Sequence, residues 1–158
     1  MPSYGCIVEW SRRGEAFTDL KYSRAHQWRF DGGAVVPGSS SPHSVRAPWS
    51  DAAAVDPEEA LVAAVSSCHM LWFLSLAAEQ GYVVDSYVDA AEGRMAKFAD
   101  GRMGITEIVL RPRVLLAPGK PADAAAMDAL HHAAHERCFI ANSVRSEVRV
   151  EGSFAFAA

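Results

Sequence analysis

The chain has 158 residues and a formal net charge of −4. That length suits one domain with a real core, and the charge argues against nucleic acid, which calls for a basic face. Half of the residues are hydrophobic, an ordinary globular mix, and the three cysteines (Cys6, Cys68 and Cys138) are too few and too scattered for a structural disulfide framework.

Tyr4 to Trp10 reads as a first strand, and Arg12 to Glu15 as a turn. Phe17 to Phe30 reads as a second strand or pair of strands, closed by the turn Asp31-Gly32-Gly33. Residues 34 to 55, rich in Pro, Ser and Gly, are expected to form a long loop of the kind that covers a site. Asp56 to Gly81 then reads as one long helix. Asp56 is a good N-cap, Pro57 suits the first helical position, and Glu59 completes a capping box. Gly81 is a natural stop. The helix carries no Lys or Arg and is apolar on every face, so it is expected at the centre of the fold.

Val83 to Lys97 reads as a strand, Asp100-Gly101 as a hairpin turn, and Ile105 to Leu116 as the return strand, with Pro112 marking an edge or a bulge. Asp123 to Arg137 reads as a second helix capped by Asp123. Val144 to Glu151 alternates as a half-buried strand. The expected fold class is α+β, in the order β-β-(loop)-α-β-β-α-β, as a single domain over residues 1–158. Ser66, Ser67 and His69 interrupt the apolar run of the central helix, so no membrane span is expected. Met1 to Trp10 lacks the basic start and apolar core of a signal peptide. The expected location is cytoplasmic. In a reducing compartment, cysteines that matter tend to be catalytic, redox-sensing or metal-binding.

Cys68 lies in the middle of the long helix. A free Cys in such a place commonly serves as a small core hydrophobe. Here Ser66, Ser67 and His69 bring polar groups into its neighbourhood, and a nearby cation or hydrogen-bond donor would lower a thiol pKa enough for attack. Cys138 closes the second helix, seventy residues later. Two cysteines on helices packed against one sheet can meet, and one can then resolve the oxidised form of the other. Cys6, with alternating neighbours, reads as core.

The stretch Asp56-Pro57-Glu58-Glu59-Ala60-Leu61, the ten residues from Glu58 to Cys68, and the later Cys138-x-x-x-Asn142 before the last strand resemble the family of osmotically inducible protein C and organic hydroperoxide resistance proteins (OsmC/Ohr). The resemblance runs roughly from Tyr22 to the C-terminus. It implies an OsmC-like domain, an intertwined homodimer and a thiol peroxidase that needs no cofactor. By that resemblance Cys68 is the peroxidatic residue and Cys138 the resolving one, while an Arg and a Glu orient and activate the thiolate. Glu58 matches the Glu. Arg24 is the best match for the Arg, with Arg12, Arg13 and Arg29 competing. The substrates implied are organic hydroperoxides or hydrogen peroxide, and the reductant is a dithiol of lipoyl type in the better-known branch.

The chain departs from the family pattern at Phe139-Ile140 and in His69 and His26, which marks a divergent branch. Ten helical residues rise about 15 Å. A straight helix therefore cannot bring Glu58 to its own Cys68, and a shared site would take Glu58 from a partner chain.

Two other chemistries stay open. His131, His135 and Cys138 fall near one helix face and are plausible zinc ligands, although His on an Ala-rich helix is also an ordinary wet-face residue, His132 included. Alternatively, the protein is a non-enzymatic small-molecule carrier with the apolar helix lining a pocket and the cysteines incidental.

Overall fold

The computed structural model describes residues 1–157, which form two compact units, 1–60 and 61 onward. The architecture is mixed α+β. In the first unit β1 (Cys6–Glu9), β2 (His26–Phe30) and β3 (Val35–Gly38) form an antiparallel sheet in that order. Three expectations change here. The segment before His26 is not a strand. Phe17 and Tyr22 stack at 4.5 Å and Trp10 meets Tyr22 edge-on at 5.5 Å, so the chain folds back on an aromatic cluster instead of extending. The expected loop opens with β3, because Val35 and Val36 pair with Arg29 and Trp28 before Pro37. Cys6 is exposed on β1, not core.

The first long helix, α1, spans Pro57–Glu79. Its capping box is reciprocal: Glu59 N donates to Asp56 Oδ1 at 2.8 Å and Asp56 N to Glu59 Oε2 at 3.2 Å. Gly81 ends it with φ +79°, a left-handed conformation that a side chain would strain. By length and composition α1 is apolar enough to cross a membrane, so its Ser and His interruptions do not exclude that as expected. In this chain it lies on sheets, but only along one stripe. Val65, His69, Phe73, Leu76 and Ala77 are buried, while Leu71 is 63% exposed. All-round apolarity therefore does not mean all-round burial within one chain.

The second unit contains two sheets built alike. In one, β4 (Val84–Asp89) pairs antiparallel with β7 (Pro112–Leu116), which pairs parallel with β9 (Ser153–Phe156). In the other, β5 (Glu92–Lys97) pairs antiparallel with β6 (Met103–Leu110), which pairs parallel with β8 (Glu147–Val150). The strands expected at Val83–Lys97 and Ile105–Leu116 are thus two strands each, broken at Ala90-Ala91 and at Arg111, and the last expected strand is β8, followed after the break at Glu151-Gly152 by an added β9.

Arg111 ties the three breaks together. Its N–H donates to Asp89 Oδ1 at 2.6 Å, and its guanidinium reaches Glu92 at 3.3 Å and Glu151 at 3.2 Å. Pro112, which has no N–H, opens β7 opposite Asp89. The N-terminal half of α1 packs with Ile105, Ile108 and Leu110 of β6. Its C-terminal half packs with Val114 and Leu116 of β7 and with Met127, Leu130 and Ala134 of α2 (Ala124–Arg137).

Candidate active site of two adjoining thiols

Cys68 sits mid-way along α1, and Cys138 is the C-cap of α2. The fold brings them together: the Cys68 thiol lies close enough to the Cys138 thiol to raise its pKa, and both are free. Cys138 is fully buried and Cys68 is partly open. Burial, opposed by an N–H bond from Ala141 and reinforced by Cys68, pushes the Cys138 thiol up to about 11.

Local geometry fixes that thiol. After α2 the chain turns through a short 3-10 segment, Ala141–Ser143, whose first N–H donates to Cys138 Sγ at 3.3 Å. Asn142 Nδ2 donates to Glu136 O at 3.0 Å and holds the turn against the helix end. The Cys138-x-x-x-Asn142 spacing is thus a turn that presents sulfur to α1. Beside it, Trp72 and Phe139 meet edge-on at 5.6 Å and Arg137 lies over Trp72 at 5.8 Å. Phe139 is 69% exposed. An open thiol against a buried one, flanked by aromatic surface, can form a sulfenic acid at one sulfur and a disulfide at both.

The polar residues around Cys68 bond elsewhere. Ser66 Oγ donates to Asp89 Oδ2 at 2.5 Å, linking α1 to the sheet break, and Ser67 Oγ donates back to Ala64 O at 3.3 Å. His69 Nε2 meets His131 Nδ1 of α2 at 3.1 Å in a buried, stacked pair. His131 is 6% exposed, so it is not the wet-face residue its Ala-rich surroundings suggest. The next residue, His132, is one, facing Glu136 one turn on at 3.5 Å on the surface. Among the described residues no three His, Cys, Asp or Glu converge to hold a metal, so the His131/His135/Cys138 zinc alternative finds no ligand geometry. His131 Nδ1 is engaged by His69, and Cys138 Sγ receives Ala141 N–H.

Glu58 stands in the first turn of α1, about 15 Å of helix rise from Cys68. In the first unit, Arg24 lies over the Tyr22 ring at 3.7 Å and donates to Leu20 O at 2.8 Å and to Tyr22 O. Among the described residues Arg24 and Glu58 form no ion pair within the chain. Of the competing arginines, Arg29 pairs with Glu9 at 3.2 Å and Arg12 donates to Glu15 O at 2.6 Å. His26 is locked locally, with Nε2 accepting from Trp28 Nε1 and Nδ1 facing Arg24 O, both at 2.8 Å. The histidine pair, Asp89 and Arg111 escaped the sequence reading. Their partners lie tens of residues away and no local pattern marks them.

Comparison with known proteins places this fold in a class of mixed α+β domains. Residues 50–153 match the family model described as OsmC-like protein, and the chain belongs to that family. An OsmC-like protein of unknown function from Vibrio cholerae is 51% identical, with a TM-score of 0.94 over 97% of this chain and 100% of its own. The organic hydroperoxide resistance protein OhrB of Bacillus subtilis shares the fold at 19% identity, with a TM-score of 0.66 over 97% of this chain and 98% of its own. An OsmC-like protein from Mycoplasma pneumoniae does so at 13% identity and a TM-score of 0.72, covering 98% of each chain. No curated protein matches the chain by sequence.

Proposed function

We propose that the protein is a two-cysteine thiol peroxidase acting on organic hydroperoxides or hydrogen peroxide. The observation that carries this reading is the adjoining pair of free thiols, one partly open and one buried. The Cys68 thiolate attacks the peroxide O–O bond, and with one proton taken up the products are Cys68 sulfenic acid and an alcohol (water, when the substrate is hydrogen peroxide). Cys138 then attacks the sulfenic sulfur, its proton leaves with the hydroxyl as water, and a disulfide forms. An external dithiol, of the lipoyl type in the family resemblance, reduces the disulfide by exchange and becomes a disulfide itself.

The asymmetry of the pair sets the order of events. A buried thiol held near 11 stays protonated and weakly reactive toward peroxide in solution, while the open sulfur meets substrate first. Trp72 and Phe139 offer apolar surface that suits a bulky peroxide. Arg24 and Glu58 complete the site from a partner chain, with Glu58 holding the guanidinium by a bidentate pair while Arg24 stabilises the thiolate. The open side of α1 supports such a homodimer, which works in the reducing cytoplasm.

The test is free-thiol counting and intact mass after one equivalent of cumene hydroperoxide is added to reduced protein. Loss of two thiols, mapped to a Cys68–Cys138 disulfide, is the expected result. If both thiols survive, the peroxidase reading fails.

A further inference from the structure

Away from the thiols, α2 and the start of β9 line an open cavity of about 270 Å³ with mixed walls. Met127 and Phe154 are its apolar side, and Asp128 and Ser153 its polar side. His131 also lines it, although that residue is 94% buried, being 6% exposed. The ring is pinned: it stacks on Phe73 at 4.4 Å and on His69 at 5.4 Å, and its Nδ1 is taken by His69. Its other nitrogen, Nε2, has no hydrogen-bond partner among the described residues and faces Gly152. A Cβ on Gly152 would stand 2.7 Å from that atom, so the glycine keeps open the space in front of it.

The proton positions follow from the neighbours. His69 Nδ1 is buried with no partner among the described residues. A proton there would be an orphaned buried N–H, a costlier state than an unused lone pair. His69 therefore carries its proton on Nε2 and donates to His131 Nδ1. His131, neutral and already accepting at Nδ1, must carry its own proton on Nε2. The cavity thus presents an imidazole N–H donor and, from Asp128, a carboxylate acceptor.

We propose that this cavity binds a small neutral molecule carrying a primary carboxamide. The amide oxygen accepts from His131 Nε2–H, the amide N–H donates to Asp128, and an apolar body lies against Met127 and Phe154. An anion is disfavoured by Asp128. A metal ion needs a lone pair on Nε2, which would force the proton chain back onto the orphaned His69 nitrogen. The proposal does not depend on the peroxidase reading.

Benzamide is the probe, titrated into full-length reduced protein labelled with 15N-histidine and followed by long-range 1H–15N correlation. The expected result is a saturable shift at His131 Nε2, absent with benzoate and abolished by Gly152→Ala, whose methyl fills the space. Asp128→Asn, a change at an exposed position, weakens benzamide binding about tenfold, the scale of one hydrogen bond to a charged group, and keeps the test open if Gly152→Ala does not fold. No shift, an equal response to benzoate, or undiminished binding by the variants overturns the proposal. So does zinc alone moving Nε2 to a metal-bound shift.

Discussion

Cys68 and Cys138 are chemically identical residues placed in different surroundings, one partly open and one buried. The buried one receives an N–H from Ala141 and lies 3.9 Å from Val65 O, in a place where an ionised sulfur is poorly solvated. Under the proposed mechanism, Cys138→Ser still consumes one equivalent of peroxide at Cys68 but stops there. The variant accumulates a sulfenic acid that dimedone traps, while Cys68→Ser consumes none; mass spectrometry reads both, and unchanged multiple turnover in Cys138→Ser would remove the resolving role. Tyr87 shows the same influence of environment on stability. Its hydroxyl is buried without a partner among the described residues, and burial and Asp89 raise its pKa. Tyr87→Phe removes an unsatisfied group while keeping the ring that packs on Phe73 at 5.6 Å. Stability is expected to rise by about 1 kcal/mol, the lower end of the cost of a buried unpaired polar group; a denaturant midpoint that falls instead would show that the hydroxyl is satisfied.

Between elements, the His69–His131 contact joins α1 to α2, and it carries a pH dependence. Burial lowers both histidines from 6.5 to about 4. For His69 the neighbours His131 and His135 add to the effect, while for His131 Asp128 and Asp89 oppose it. Because the folded values lie below the unfolded ones, the unfolded chain binds more protons between pH 6.5 and 4. Stability is full above about 6.5, falls as pH drops through that window, and levels off below it. The slope is about 1.4 kcal/mol per pH unit for each histidine, so one histidine alone removes roughly 2 kcal/mol between pH 6.5 and 5. Urea unfolding at the two values checks this, and a His69→Leu, His131→Leu double variant should lose that part of the slope. This joint was not legible in the sequence. His69 read as company for the sulfur and His131 as a surface residue, because each takes its meaning from a partner 62 positions away. The helix caps were legible, since Asp56, Glu59 and Asp123 act on residues three positions off. The sheet breaks lay between these cases. Alternation persists through Val83 to Lys97 because both halves pair with neighbours, and only Arg111 and Asp89, meeting across the breaks, divide the strand. The adjoining cysteines were foreseeable as a possibility from two helices on one sheet, but the burial that tells them apart belongs to the packed structure.

For the molecule as a whole, the open face of α1 points to assembly. Ala63, Ser67, Leu71, Ser75 and Ala78 are exposed at helical spacing beside the buried stripe, and a helix this apolar with one wet side is ordinarily covered. Small residues on that face allow a second helix to approach closely, and Leu71 supplies the apolar contact. Glu58 lies too far along the same helix to serve its own Cys68, so a working site assembled from both residues needs two chains. Sedimentation equilibrium should therefore give twice the 17.1 kDa chain mass, and Leu71→Glu should shift it toward the monomer by placing a charge in the contact. Loss of peroxide turnover should accompany that shift. In mixed dimers of Glu58→Ala and Cys68→Ser chains, one intact site can form from the two unmutated residues, so up to about half of the wild-type turnover per mixed dimer should return, as two independent sites per dimer require. A monomeric wild-type chain with full turnover would sever Glu58 from the mechanism and leave the Cys68–Cys138 pair to act without it.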